Sequence, residues 1–329
     1  MCSPMSGRIT LPRKHSHFGQ STNNNREKEA CMNASSETWR LGDHNVQVTH
    51  LENVYWPQAG FTKGDLLGYY RQIAQVLLPH LKDRPVTLRV YPQGVEGASY
   101  YLRDCPEEAP DWLRRASYQP KTVNHPVPLP LLDSVAGLLW FANRGAIEFH
   151  LWGSHTPDLT QPDLAIFDLD PGETASFDAV REAALRLHEA LEQAGVRGYP
   201  KTSGGSGLHV FVPLAPGHTF ERVRSWVKAV GQQLAASFPD LVALAHGGTH
   251  RGGHVTVDYA QNSVGRNTAA PYTVRATSAY PTVSTPLTWK ELEEGDLHPA
   301  DLTPHMLLQR VERLGDVFAP VLQGTQHIP

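Results

Sequence analysis

In the stretch LAIFDLD, Leu164, Ile166, Asp168 and Asp170 fall on one face of a strand by period two, and the chain turns at Pro171-Gly172. Two carboxylates on one face at a strand end suit a pair of divalent cations, which take oxygen ligands. A D-x-D alone reads as a solvated strand end. A third acid changes the balance. In VTVDYA, Val255, Val257 and Tyr259 point one way and Thr256 and Asp258 the other. An aspartate inside a β-branched run needs a partner, because burying it unpaired is costly. Three strand aspartates make a metal centre a candidate.

Between these strands lies KTSGGSGLHVFVP. Ser203 to Gly207 is too small and flexible for a helix or packed strand, and it can offer backbone N–H groups and the Ser203 hydroxyl to a phosphate. It runs into a strand that carries His209 on the polar side, opposite Leu208 and Val210. The GK[ST] ending of a Walker loop is missing, and Leu208 stands where a hydrolase elbow needs its last glycine. An ordinary glycine turn beside a surface histidine is the alternative. Further on, HGGTHRGGH spaces His246, His250 and His254 by four, but four glycines disfavour the helix that would bring them to one face of a zinc site. Arg251 precedes the Asp258 strand, and its guanidinium suits a phosphate held through two parallel hydrogen bonds.

These groups need a frame, and periodicity supplies one. The best helix is 62–80, started by Thr62 and Asp65 and striped by Leu66, Tyr69, Tyr70, Ile73, Val76 and Leu77. A second covers about 176–194, from Ser176 as N-cap to Gly195 as stop. A third follows Thr219 through Val223, Trp226, Val227, Val230 and Leu234, and a last one lies near 303–314. Strands are expected at 86–91, 146–152, 164–170, 208–213 and 255–260. The Pro-rich stretch 120–130 reads as a seam. Residues 1–38, rich in Ser, Asn, Lys and Glu, lack the apolar side chains for a core and are expected to be disordered.

A length of 329 residues with 40% hydrophobic content describes a globular chain of one large or two modest domains. No apolar run reaches the ~18 residues of a membrane span, and no signal-peptide pattern opens the chain. Three cysteines without metal-type spacing point to a reducing cytoplasm. The formal net charge of -4 speaks weakly against nucleic acid, but the charge is uneven. Nine acids against two arginines lie between Asp158 and Glu192; eight bases against three acids lie between Arg197 and Arg275. Such a division suits a site that holds cations and polyanions side by side.

The motifs FDLD, KTSGGSGLH, RGGHVTVDYAQN and APYTVRA follow one another in that order, after VYWPQAGFTKGDLLGYY, LRVYPQGVEG and GLLWFANRGAIEFHLW and before VSTPLTW. Together, from about Leu51 to Leu292, they resemble the polymerase domain of bacterial ligase D, the end-joining member of the archaeo-eukaryotic primase superfamily. The resemblance implies an α/β (α+β) primase-polymerase fold, with an RRM-like catalytic sheet packed against an N-terminal α/β subdomain. The expected layout is an extension over 1–38, a primase-polymerase domain over 39–319 divided near 130, and a tail over 320–329. No ligase or nuclease part is expected, because the chain ends soon after the polymerase region. The implied activity is template-directed nucleotidyl transfer onto DNA 3′-OH ends at breaks and short gaps, with two divalent cations (Mn²⁺, or Mg²⁺) and a preference for ribonucleotides.

By the same resemblance Asp168, Asp170 and Asp258 match the metal-binding carboxylates. His150, Ser203, His209, Arg251, Gln261 and Arg275 match nucleotide-binding positions. Lys63 matches a lysine that grips the 5′-phosphate of the downstream strand, and Tyr100 and Tyr101 an aromatic pair that stacks on the template base. Implied partners are DNA ends or gaps with a 5′-phosphate, NTPs or dNTPs, Ku and a separate ATP-dependent DNA ligase, with no membrane and a cytoplasmic, nucleoid-associated setting. Three positions depart from the pattern: Ser206 and Asn53 replace lysines and His50 an asparagine. A primase, a catalytically weak DNA-end adaptor and a metal-dependent phosphohydrolase stay open as alternatives.

Overall fold

Thr62 begins the first helix by a reciprocal capping box. Its hydroxyl accepts from the Asp65 N–H at 3.1 Å, while the Asp65 carboxylate accepts from the Thr62 N–H at 2.8 Å. The computed structural model that shows this describes residues 36–120, 123–244 and 252–329. A hairpin of β1 (Ser36–Leu41) and β2 (His44–Thr49) leads through β3 (Val54–Trp56) and β4 (Phe61–Thr62) into helix α1 (Lys63–Leu81). Then come β5 (Val86–Val90), β6 (Tyr100–Leu102), the ribbon β7 (Arg115–Tyr118) and β8 (Val127–Pro130), helix α2 (Val135–Asn143) and β9 (Ala146–Trp152). The chain continues with β10 (Leu164–Pro171), α3 (Phe177–Gln193), β11 (Tyr199–Thr202), β12 (Leu208–Pro213), α4 (Phe220–Ser237), β13 (Val242–Leu244) and β14 (Val255–Val257). The last elements are β15 (Asn267–Ala269), β16 (Val274–Arg275), β17 (Thr282–Val283), α5 (Trp289–Glu294) and α6 (Pro304–Leu314).

Two sheets carry the fold. The larger has the order β11-β12-β10-β14-β13, so the strand with the two aspartates lies at its centre, antiparallel to both neighbours. The smaller has the order β15-β9-β5-β6, drawing strands from either side of the Pro-rich stretch. Alternation along β10 divides its side chains between two cores. Ala165, Phe167 and Leu169 pack under α3 and α4 with Val180, Leu187, Val223 and Val227. Leu164 and Ile166 join Leu66, Tyr70, Ile73, Phe149 and Phe211 on the other side. On that second face the apolar residues give way to Asp168 and Asp170, and the cleft described below opens there.

The expected helices form, with Thr62 and Ser176 capping the first two as predicted, and Thr219 and Thr303 as the N-caps of the other two. The strand predicted over 255–260 is shorter. It ends at Val257, because the Asp258 carboxylate accepts the Ala260 N–H at 2.9 Å and starts a 3₁₀ turn over Tyr259–Gln261. Ser36 to Thr38 belong to β1, paired with Gln47 to Thr49; the rest of the N-terminal extension lies outside the described residues. Within the last ten residues Gln326 docks on Arg197 through both backbone groups, at 2.7 and 2.9 Å, and Ile328 enters the core. No helix among the described residues is long and apolar enough to cross a membrane.

Candidate active site

Register aligns four polar side chains across the larger sheet. Asp168 lies opposite His209 and His209 opposite Lys201, while the Asp258 N–H donates to the Asp168 carbonyl at 2.9 Å. Residues directly opposite share a face, so Lys201, His209, Asp168 and Asp258 form one row. Along it His209 Nε2 lies 3.2 Å from Asp168 Oδ1. Lys201 Nζ donates to His209 Nδ1 at 2.9 Å and to Ser284 Oγ at 2.5 Å. That bond leaves Nδ1 as acceptor and turns Nε2–H toward the aspartate. Burial, then the Lys201 ammonium, holds the His209 pKa well below its usual value; burial, then the Arg275 charge, pulls Lys201 down too. Two basic groups this close do not both carry charge, and the downward shift keeps the His209 imidazole neutral.

The smaller sheet presents a second row. Tyr101 of β6 pairs with Arg89 of β5, and Arg89 pairs with Glu148 of β9. Two residues along β9, on the same face as Glu148, stands His150. Arg275 bridges the sheets: its Nε donates to Glu148 Oε2 at 3.0 Å and its Nη1 to the Ser203 carbonyl.

Ser203 organises the glycine loop from inside. Its Oγ accepts from the Gly205 and Gly207 N–H groups, both at 3.1 Å, and keeps its own proton to donate. Gly204 has φ +77, and a Cβ there would run into the Arg275 side chain and come within 2.9 Å of Ser284 N. At Gly207 a Cβ would come within 2.6 Å of the Leu169 carbonyl and 3.1 Å of Asp170 Oδ1. The two glycines let the loop lie directly on the bridging arginine and on the carboxylate strand.

These elements enclose a cleft of about 680 Å³. Seven residues expected to hold metal or nucleotide line it together: Asp168, Asp170, His150, Ser203, His209, Gln261 and Arg275. Tyr101 lines it as well, at 55% exposure, whereas Tyr100, its neighbour on the same edge strand, does not. Asp258, in the row just described, is not among the residues that line the cleft. Lys63 is elsewhere, nearly buried as the first residue of α1, with its Nζ donating to the Thr49 carbonyl at 2.6 Å. Arg251, His246 and His250 lie outside the described residues. Among the described residues no three His, Cys, Asp or Glu side chains gather around one point. The oxygen-only donor pair Asp168 and Asp170 nevertheless has the chemistry hard divalent cations prefer.

Two residues were missed by motif reading. Lys201 precedes the glycine loop by two positions, and Glu148 interrupts the apolar strand AIEFHLW. Each is a charge in an otherwise buried run, and that demand for partners was the available signal.

A mixed α/β chain with carboxylates on a central strand, facing a glycine loop and an arginine across a cleft, has the make-up of a primase-polymerase. The model for the LigD primase-polymerase domain matches residues 62–318, and the chain belongs to that family. It is 33% identical over 84% of its length to the multifunctional non-homologous end joining protein LigD of Mycolicibacterium smegmatis, of which it covers 36%. To the bifunctional LigD of Bacillus subtilis it is 30% identical over 86% of its length, covering 45% of that protein. The chain thus spans less than half the length of these relatives. The polymerase domain of Mycobacterium tuberculosis ligase D, solved in complex with DNA, superposes with a TM-score of 0.79 at 32% identity, covering 85% of this chain and 99% of that one.

Proposed function

We propose that this chain adds nucleotides, ribonucleotides in preference, to DNA 3′-OH ends at breaks and short gaps during non-homologous end joining. One observation carries the reading: in a chain of this family, the pair Asp168 and Asp170 shares one cleft with Arg275, Ser203 and the glycine loop. Arg275 keeps N–H donors beyond those given to Glu148 and Ser203, and with the Ser203 hydroxyl it would clamp a triphosphate. His209, neutral and fixed by Lys201, would orient groups at Asp168. Divalent cations, Mn²⁺ first, held by Asp168, Asp170 and Asp258 would supply charge neutralisation at the phosphates and a lowered pKa at the primer hydroxyl. Tyr101 offers a ring face on which any base can stack. Lys63 is assigned to the 5′-phosphate of the downstream strand, and Ku with a separate ATP-dependent ligase would complete repair.

A DNA substrate is supported by the solved relative, whose structure includes DNA. The test is incubation with 5′-phosphorylated gapped DNA, labelled NTPs or dNTPs, and Mn²⁺ or Mg²⁺. Template-directed extension, faster with NTPs, is the expected result. Products without primer would indicate a primase, binding without extension an adaptor, and release of labelled phosphate a hydrolase.

A further inference from the structure

Glu148 is fully buried at 0% exposure within a strand that is apolar on either side of it. A buried charge is a poor stabiliser, since apolar residues of similar volume often serve a fold as well or better. Its partners suggest what else it does. Oε2 accepts from His150 Nε2 at 2.9 Å and from Arg275 Nε at 3.0 Å, so two cleft-lining groups meet on one oxygen. Oε1 accepts from the Ala276 N–H at 3.1 Å and the Tyr91 hydroxyl at 3.4 Å, with Arg89 Nη1 at 3.8 Å. Arg89 in turn lies 5.6 Å over the ring of Tyr101, and His150 meets that ring edge-on at 6.2 Å.

We propose that Glu148 is a positioning residue that couples the two ends of the cleft, aiming Arg275 at the triphosphate while fixing Tyr101, through Arg89 and His150, at the templating base. The role rests on the nucleotidyl-transfer reading above. Arg275 has five N–H donors. Glu148 takes Nε–H and the Ser203 carbonyl takes one Nη1 hydrogen, so the guanidinium is oriented before nucleotide arrives and its remaining donors face the cleft. Preorganisation of this kind lowers the ordering cost of binding. A neutral His150 gives Nε2–H to the carboxylate and presents Nδ1 as an acceptor. Tyr101 is half-exposed on an edge strand, and the cation beneath it and the imidazole beside it set its plane.

Glu148→Gln preserves size and one acceptor oxygen but removes the charge and presents an NH₂ group to donors. On gapped DNA with Mn²⁺ it should raise the KM for NTP by about tenfold or more, with a smaller change in kcat. In an Arg275→Ala background the same change should raise KM by less than about threefold, because the group it aims is gone. 2-Aminopurine at the templating position, quenched by stacking in the wild-type complex, should brighten in Glu148→Gln. It should also brighten in Arg89→Met, which tests the template side if Glu148→Gln does not fold. Unchanged KM in Glu148→Gln, full additivity with Arg275→Ala, or unaltered quenching in Arg89→Met would overturn the proposal. Failure of the wild-type protein to extend any primer is a separate result, and it overturns the nucleotidyl-transfer reading itself.

Discussion

Of the two residues that stand where the resemblance expects a lysine, Asn53 and Ser206, it is Ser206 that lines the cleft, exposed on the glycine loop. Of the groups that could replace the missing charge, Arg266 and His254 do not line it, and His246 and His250 lie outside the described residues. Ser206→Lys is therefore expected to lower the KM for ATP by about tenfold or more, since charge-assisted contacts contribute roughly 1.5–3 kcal/mol. The change in kcat should be smaller, because the charge acts on ground and transition states alike. Steady-state kinetics on gapped DNA decide it; an unchanged or raised KM means the charge comes from another group. Asp168→Ala should abolish nucleotide addition and leave DNA binding largely intact, because it removes a cation ligand and no basic group. Retained extension in that variant would remove the carboxylates from the chemistry.

Helix α1 does more than support the core. Its first residue is Lys63, at an end where the macrodipole and the ammonium both favour an anion. Burial, reinforced by the Arg144 charge and opposed by Glu52, lowers the Lys63 pKa to about 8. The side chain is charged below that value and neutral above it. A preference for gaps carrying a downstream 5′-phosphate should therefore be largest below pH 8 and fade as the pH rises past it. It should also fall with added salt. Fluorescence anisotropy with phosphorylated and unphosphorylated gaps at pH 7 and 9 measures this, and equal binding at pH 7 would exclude Lys63 from the phosphate site. The helix itself was legible from Thr62, Asp65 and the apolar stripe; the turn of Lys63 inward to the Thr49 carbonyl was not, because that carbonyl belongs to β2.

For the whole molecule, three partly or fully buried carboxylates tie distant segments together. Glu148 joins β9 to Arg275; Glu291 of α5 takes Arg310 of α6; Asp316 takes His80 of α1 at 2.9 Å and the Tyr272 hydroxyl at 2.5 Å. Burial opposes ionisation in each, but hydrogen bonds and neighbouring cations outweigh it and lower all three pKa values, that of Glu148 to about 2. Depressed carboxylates contribute stability that is complete above the unfolded pKa near 4 and is lost as pH falls through the folded values. For Glu148 the difference between the ionised and the protonated protein, which is not the net worth of burying the charge, is on the order of 3 kcal/mol. Tm should hold steady above about pH 5, then fall steeply toward pH 2.5, and Glu148→Gln should flatten that slope. A slope identical to wild type would mean the carboxylate is not held ionised.

Local chemistry was readable from sequence wherever the determining contacts are close along the chain. The capping residues, the apolar stripes of α1, α3 and α4, and the alternation that puts Asp168 and Asp170 on one face all follow from periods of 3.6 and 2. What the tertiary structure alone decided is which of those faces meet. The row Lys201, His209, Asp168 and Asp258 depends on strand register, and the Tyr101, Arg89 and Glu148 row depends on a sheet whose paired residues are ten or more apart in sequence. Arg275 reaches both sheets at once, so its role as bridge exists only when they are packed. Period two says which side of a strand a residue occupies; only the pairing of strands says what stands across from it.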